Sequence, residues 1–491
     1  MPRPVLTLLP ATLLTAIGAA ADPAPPAGKV SYFRDVRPIF QQHCQGCHQP
    51  AKPGGGYVMT AFAGLTKPGE SGLPGVVPGN PADSHLLAQV TPKDGKAEMP
   101  RDREPLKPAQ VETIARWIRE GAADDTPASA RGVLIDAEHP PEYRAPPVVT
   151  AVAFSPDGKL LAVAGYHEIL LHDTDHPGRP ARLVGMSERV QSIAFSPNGK
   201  YLAAAAGDPG RFGEVQVWDV AKRELKLSAP VTYDTVYGVS WSPDGTAIAF
   251  GCADNTVRAI DAFTGRQVLQ MGTHADWVLG TAFSRDGKHL VSVSRDMTLK
   301  LTEVATQRFI DNVTSITPGA LKGGLMALDV RPITPGRWLQ KRPDDTPGAP
   351  RKLYDELLSA GSDGTPRLYK MHRETKRVIG DDANRIKEYE AMPGRVSCVA
   401  FDDAGRRFAA ASSLDGKGQV RVYDVATGKN VVLEKVTGPA YTVAWHPSGN
   451  LVASAGFDGK VWLHDPATGK LVKEFVAVPY APDKIPLARA D

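Results

Sequence analysis

Val152-Ala153-Phe154-Ser155-Pro156-Asp157-Gly158-Lys159-Leu160-Leu161-Ala162-Val163-Ala164 reads as an apolar strand, a tight turn and a second apolar strand. Proline sets φ in the turn and glycine accepts a positive φ, so the four central residues suit a hairpin corner. The corner returns as Ser196-Pro197-Asn198-Gly199 and Ser242-Pro243-Asp244-Gly245. It returns altered as Ser284-Arg285-Asp286-Gly287, Asp402-Asp403-Ala404-Gly405 and His446-Pro447-Ser448-Gly449. The last strand residues keep phase at Phe154, Phe195, Trp241, Phe283, Val330, Phe401 and Trp445, with successive gaps of 41, 46, 42, 47, 71 and 44 residues. A period of this length, with four short strands per unit, is the signature of an all-β propeller. One unit alone is a small exposed sheet, whereas a ring of units buries both faces of each.

Seven blades are expected over residues 148–478. The long gap is assigned to an insertion in blade five, about Arg331 to Glu356, between its first and second strands. Third strands should end near Asp173, Asp219, Asp261, Glu303, Lys370, Asp424 and Asp465. The last blade is expected to own its fourth strand, Leu471 to Val476, which leaves open whether Gly132 to Asp136 adds a closing strand.

Composition agrees with a turn-rich globular chain. Among 491 residues, 47 glycines and 43 prolines exceed ordinary usage without a collagen period. Fifty-seven basic against 54 acidic side chains leave a net charge of +3, which is no footprint of nucleic acid binding. Four cysteines exclude a disulfide scaffold.

Outside the repeats, residues 1–21 read as an export signal. Arg3 is followed by the apolar stretch Val5 to Ile17, interrupted at Pro10, and by Gly18-Ala19-Ala20-Ala21. Cleavage is expected after Ala21. The stretch is shorter than the roughly 20 apolar residues of a spanning helix. The mature chain is therefore expected to have no membrane span and to be periplasmic or otherwise exported. Residues 30–122 read as a small all-α domain. Tyr32, Phe33, Val36, Ile39, Phe40 and Cys44 recur at helical spacing, as do Val111, Ile114, Trp117 and Ile118 in a helix from Pro108 to Glu120. A short helix is expected near Ser84 to Val90. Residues 123–147, with Pro127, Pro140, Pro141, Pro146 and Pro147, read as a semi-extended linker. Residues 479–491 form a tail.

Cys44-Gln45-Gly46-Cys47-His48 carries the chemistry. Two thiols two residues apart can each form a thioether with a haem vinyl group, and the adjacent His48 can bind the iron as proximal ligand. A zinc site would need a second Cys/His pair, and none lies nearby. A thioredoxin-like pair would need a βαβ context. A Cys44–Cys47 disulfide would leave His48 unexplained. Met99 is the leading distal ligand, because it sits in the polar, proline-flanked loop Lys96-Ala97-Glu98-Met99-Pro100, where a core methionine is out of place. Met59 and His85 compete for that role, and His43 is an ordinary helix residue. Phe40, Ile39 and Trp117 are expected to form the apolar haem wall. Gly54-Gly55-Gly56 has no strand before it and lacks the Lys-Ser/Thr of a phosphate loop, so it reads as loop backbone close to the haem.

The stretch from Val30 to Gly121 resembles the planctomycete-type cytochrome c domain. The resemblance rests on Tyr32 to Phe40, on Cys44 to His48, on Val77-Pro78-Gly79-Asn80-Pro81, on Met99-Pro100 and on Arg116 to Ala122. It implies one covalent haem c, a methionine distal ligand and electron transfer. The ring resembles a divergent WD-repeat propeller through Val217-Trp218-Asp219. Elsewhere the Trp place holds His172, Ile260, Thr302, Tyr369, Tyr423 and His464.

In the ring His172 and His464 occupy equivalent places in blades one and seven. They read as packing residues with one hydrogen bond each rather than as a metal pair. Cys252 and Cys398 read as small apolar fillers. The insertion, with Arg337, Lys341, Arg342, Asp344, Asp345, Arg351 and Lys352, reads as a docking arm or a solvated loop. No catalytic set stands out. The expectation is a monohaem electron-transfer protein, not an enzyme, whose propeller docks a redox partner protein. The alternative is a propeller that is itself catalytic or ligand-sensing and uses the haem as electron outlet.

Overall fold

A computed structural model of the chain describes residues 28–50, 52–101, 103–127, 135–315, 321–332, 355–378 and 380–480. The export signal, most of the blade-five insertion and nearly all of the tail lie outside the described residues, as do residues 132–134 of the candidate closing strand. Among the described residues no helix is long and apolar enough to cross a membrane.

The chain divides into two compact units, Met1–Pro38 with Val76–Val133, and Ile39–Gly75 with Leu134–Asp491. In the first, a π-helical turn, Tyr32–Val36, is capped by the Ser31 hydroxyl, which accepts the Arg34 N–H. Its core partner is the helix Pro108–Arg119, which starts on a proline whose missing N–H costs nothing there. Tyr32 stacks on Trp117 with ring centroids 5.4 Å apart. A third helix, His85–Val90, begins at Ser84, and the backbone N–H of Gly79 donates to the Ile118 carbonyl.

The second unit is mostly β, with seven four-stranded blades. Blades three to seven are separate antiparallel sheets in simple chain order. Blades one and two are joined by one 15-residue strand, Ala181–Phe195. Its first part pairs with the third strand of blade one, Tyr166–Asp173, and its second part with Tyr201–Asp208 of blade two. All seven phase residues end their first strands as read from the repeat: Val152–Phe154, Ala181–Phe195, Val236–Trp241, Val278–Phe283, Leu325–Val330, Arg395–Phe401 and Ala440–Trp445. The third strands also end where expected, except that the seventh stops at His464, one residue early.

The corners work as their residues dictate. The Ser155 hydroxyl bonds to Asp157 at 2.6 Å and accepts the Leu160 N–H at 3.0 Å. Gly158 takes φ +75°, a region closed to most side chains. Ser196 with Asn198, Ser242 with Asp244 and Ser284 with Asp286 repeat this arrangement.

Each first strand packs on the next around the ring, and the seventh packs on the first. At that seam the Val152 N–H donates to the Thr442 hydroxyl, and Val149 donates to the Gly456 carbonyl. Blade seven does own its fourth strand, Leu471–Val476. The ring thus closes by packing between complete blades. The penultimate residues of the seven first strands are Ala153, Ala194, Ser240, Ala282, Asp329, Ala400 and Ala444, and each is partly exposed. Six of these places hold small side chains, Ala or Ser, and the seventh holds Asp329.

Candidate haem-attachment site

The helix Arg37–His43 delivers the Cys44–His48 segment, whose first turn is held by the Cys44 and Gln45 N–H groups donating to the Phe40 carbonyl. The Cys47 and His48 N–H groups then donate to the Cys44 carbonyl, so the two thiols and the imidazole share one tight turn. Phe40 is fully buried beside the helix end. Both thiols are free, Cys44 buried and Cys47 exposed. Burial, with Cys47 adding to it, pushes the Cys44 thiol up to about 12.

His48 is fixed through one nitrogen. Its Nδ1 lies 3.0 Å from the Tyr57 carbonyl oxygen, which places the proton on Nδ1 and the lone pair on Nε2. Burial lowers its proton affinity, against the pull of the Tyr57 and Gly54 carbonyls, and favours the neutral ring a metal ligand needs. The triple glycine runs against this ring. A Cβ at Gly54 would lie 2.9 Å from the Cys47 oxygen and 3.4 Å from Cε1 of His48. The Gln45 amide donates to the Met59 carbonyl, and the Met59 N–H donates to the His48 carbonyl.

Phe40, Cys44, Cys47 and His48 are brought together within the second unit. Met99 and Trp117 belong to the first. Met99 is half-buried, and its N–H donates to the Gln89 carbonyl at 3.0 Å. Trp117 is buried on Tyr32, and its indole N–H donates to the Ala123 carbonyl. Met59 is a buried core residue, and His85 opens its short helix half-buried. Among the described residues no group of three or more His, Cys, Asp or Glu could hold a metal ion by itself. Within the second unit, two free thiols and an imidazole with its lone pair on Nε2 share one turn, which is the donor set that covalent haem attachment needs.

The segment is seated on blade two. Gly46 lies against the Ser228 carbonyl in the fourth strand, Glu224–Thr232, and the Lys52 ammonium donates to the Lys226 carbonyl at 2.6 Å. Behind Ser228 sits Glu214, wholly buried, which accepts hydrogen bonds from the Ser187 and Ser228 hydroxyls and from the Gln216 amide. Sequence reasoning missed this seat, because nothing local links residue 46 to residue 228.

In the ring His172 and His464 each make one hydrogen bond, to the Ala477 and Glu434 carbonyls. Burial lowers both, His172 to about 4. Cys252 and Cys398 are free thiols. A Ser-His-Asp chain in blade four was also not foreseeable from the residues alone. His274 bonds to Asp296 at 2.9 Å through Nδ1 and to Ser292 at 2.7 Å through Nε2. Ser292 is 1% exposed, out of a substrate's reach, so the chain ties strands together.

Comparison with known proteins bears on both parts. Residues 44–102 match the family model described as Planctomycete cytochrome C. Residues 141–173, 180–210, 265–302 and 432–465 match the WD domain, G-beta repeat. Residues 210–279 match the Anaphase-promoting complex subunit 4 WD40 domain. Periodic tryptophan protein 2 of Arabidopsis thaliana is 24% identical over 263 residues, 53% of this chain and 25% of the relative. The WD repeat-containing protein 26 homolog of the same plant is 26% identical over 231 residues, 45% of this chain and 32% of the relative. A chromatin assembly factor 1 subunit of Saccharomyces cerevisiae is 32% identical over 82 residues, 17% of this chain and 18% of the relative. The chain spans a third or less of the length of each.

Proposed function

We propose that this chain, with a planctomycete-type cytochrome c segment joined to WD repeats, is an exported monohaem c-type cytochrome that carries single electrons. Cys44 and Cys47 hold one haem c through thioethers, His48 is the proximal ligand and Met99 the distal one, within a haem domain over residues 30–122. The observation that carries this reading is the bond from His48 Nδ1 to the Tyr57 carbonyl in a segment whose two thiols are free. When bound, haem c supplies one-electron transfer at an iron whose potential a methionine ligand raises. The chain's own residues do the rest. Tyr57 sets the His48 tautomer, Gly54 lets the backbone pass beside the ring, and Phe40 and Trp117 exclude water.

The linker over 123–147 joins this domain to the propeller, whose loop-built ends dock a redox partner protein. Among proteins that share the repeats, the yeast relative is named as a subunit of chromatin assembly factor 1, which supports a docking role. The test is expression in a host able to attach haem c. The denatured, solvent-extracted protein should keep its colour and show a low-spin spectrum, and Met99→Ala should open the iron to external ligands. A colourless protein after extraction overturns the reading.

A further inference from the structure

One cavity of the ring holds chemistry that electron transfer leaves unused. At the end where the Ser-Pro-Asp-Gly corners lie, residues from all seven blades line a space of about 550 Å³, within the size range of small-molecule sites. Phe154, Phe195, Trp241 and Trp445 line it. Both indole N–H groups are already used, donating to the Ala194 and Ala400 carbonyls at 2.9 Å, so the aromatic walls offer hydrocarbon. Asp329 and Asp403 are its two charged lining residues, with no Lys, Arg or His among the described residues that line it.

Asp329 is the exception among the small penultimate residues of the seven first strands. The Phe401 N–H donates to one of its oxygens at 2.7 Å and the Val330 N–H to the other at 2.8 Å. The carboxylate is thereby oriented, with acceptor capacity left on each oxygen. Burial pushes it up to about 6, as expected of a charge enclosed without a counter-charge. The neighbouring hydroxyls of Ser240 and Thr281 bond to each other at 2.8 Å and do not supply that charge.

We propose that this cavity binds an organic ammonium group on a hydrocarbon body, with the ammonium on the Asp329 carboxylate and the body against Phe154, Trp241 and Trp445. A carboxylate with no cationic side chain in its lining, set beside aromatic rings in an open cavity, favours a cation that brings hydrocarbon of its own. A hydrated metal ion finds too few oxygen ligands there.

The test is calorimetric titration of the full-length protein at pH 8 with benzylamine, benzyl alcohol and Nα-acetyl-lysine methylamide. Benzylamine should saturate, with benzyl alcohol at least about tenfold weaker. Asp329→Asn, whose side-chain oxygen can still accept a backbone N–H, should weaken benzylamine about a hundredfold. If that variant does not fold, the contrast between amine and alcohol on the native protein decides. Tighter binding of the lysine derivative assigns the ammonium to a partner's lysyl side chain, and tighter benzylamine assigns it to a free amine. Either way the ammonium site stands. No saturation by benzylamine up to about 10 mM, equal binding of the alcohol, or an unchanged affinity in Asp329→Asn would overturn the proposal. In the last case Asp329 is only a staple between blades five and six. None of these readouts depends on haem.

Discussion

Gly46, at the centre of the Cys44–His48 segment, lies so close to the Ser228 carbonyl of blade two that a Cβ on it would overlap that oxygen. The obstacle is backbone, with the Pro230 ring 3.2 Å away beside it, so no side chain can swing aside. Gly46→Ala should therefore lift the segment from its seat at a cost of about 1–3 kcal/mol. Limited proteolysis checks this: cleavage within residues 39–75 should accelerate in the variant while the ring stays intact. Equal cleavage rates would show that the seat is loose.

The same reasoning applies at Gly54, where a larger side chain meets the Cys47 carbonyl and the edge of the His48 ring. Gly54→Val should disturb the hold of Tyr57 on His48. The expected outcome is a smaller low-spin fraction in the visible spectrum, with thioether attachment retained because Cys44 and Cys47 are untouched.

Glu214 gives a pH signature. Burial raises its carboxyl, although three hydrogen bonds pull the other way. A group raised in the folded state adds stability below its unfolded value, and that contribution is lost as pH rises through the folded one. The native protein should therefore lose stability upward from the ordinary glutamate range near about 4.3. Glu214→Gln has no charge to bury, so its melting temperature relative to the native protein should be higher at pH 8 than at pH 4. A difference independent of pH would mean that folding leaves the proton affinity of this carboxyl unchanged.

Asp296 acts in the opposite sense. Burial alone would raise Asp296, but hydrogen bonds from His274, the Thr298 hydroxyl and the Ala275 N–H outweigh it and hold the carboxyl well below the usual range. Its contribution is present above the ordinary aspartate value and is lost as pH falls through the depressed one. His274→Ala strips a buried acceptor of its partner and should cost about 1–3 kcal/mol. Denaturant unfolding near neutral pH measures that loss, which should shrink in acid. Ser292, enclosed in the same chain, should resist labelling by a fluorophosphonate probe.

The repeat was legible because each blade announces itself locally. An aromatic or branched residue ends the first strand, and Ser, Asp and Gly build the corner from their own side chains and φ values. Phase alone then located all seven first strands, including that of blade five, where Arg331 follows Val330 with no recognisable corner. The Cys44–His48 segment was legible for the same reason, since its chemistry sits in five consecutive residues. What escaped depends on distance. Gly46 and Ser228 are 182 positions apart in the chain, and His274 is 22 from Asp296 across a strand. Asp329 looked like one acidic residue among many until the register set it beside Ala153, Ala194, Ser240, Ala282, Ala400 and Ala444.

The strand Ala181–Phe195 runs without a break from the rim of one blade to the axis of the next. Elsewhere a loop intervenes at this passage, and two neighbours can part like staves of a barrel. Between blades one and two that would mean tearing a continuous ribbon whose hydrogen bonds serve both sides. The ring therefore has six joints that can gape rather than seven. The blade that carries the Gly46 seat is locked to its predecessor, so slow opening of the ring should begin on its far side.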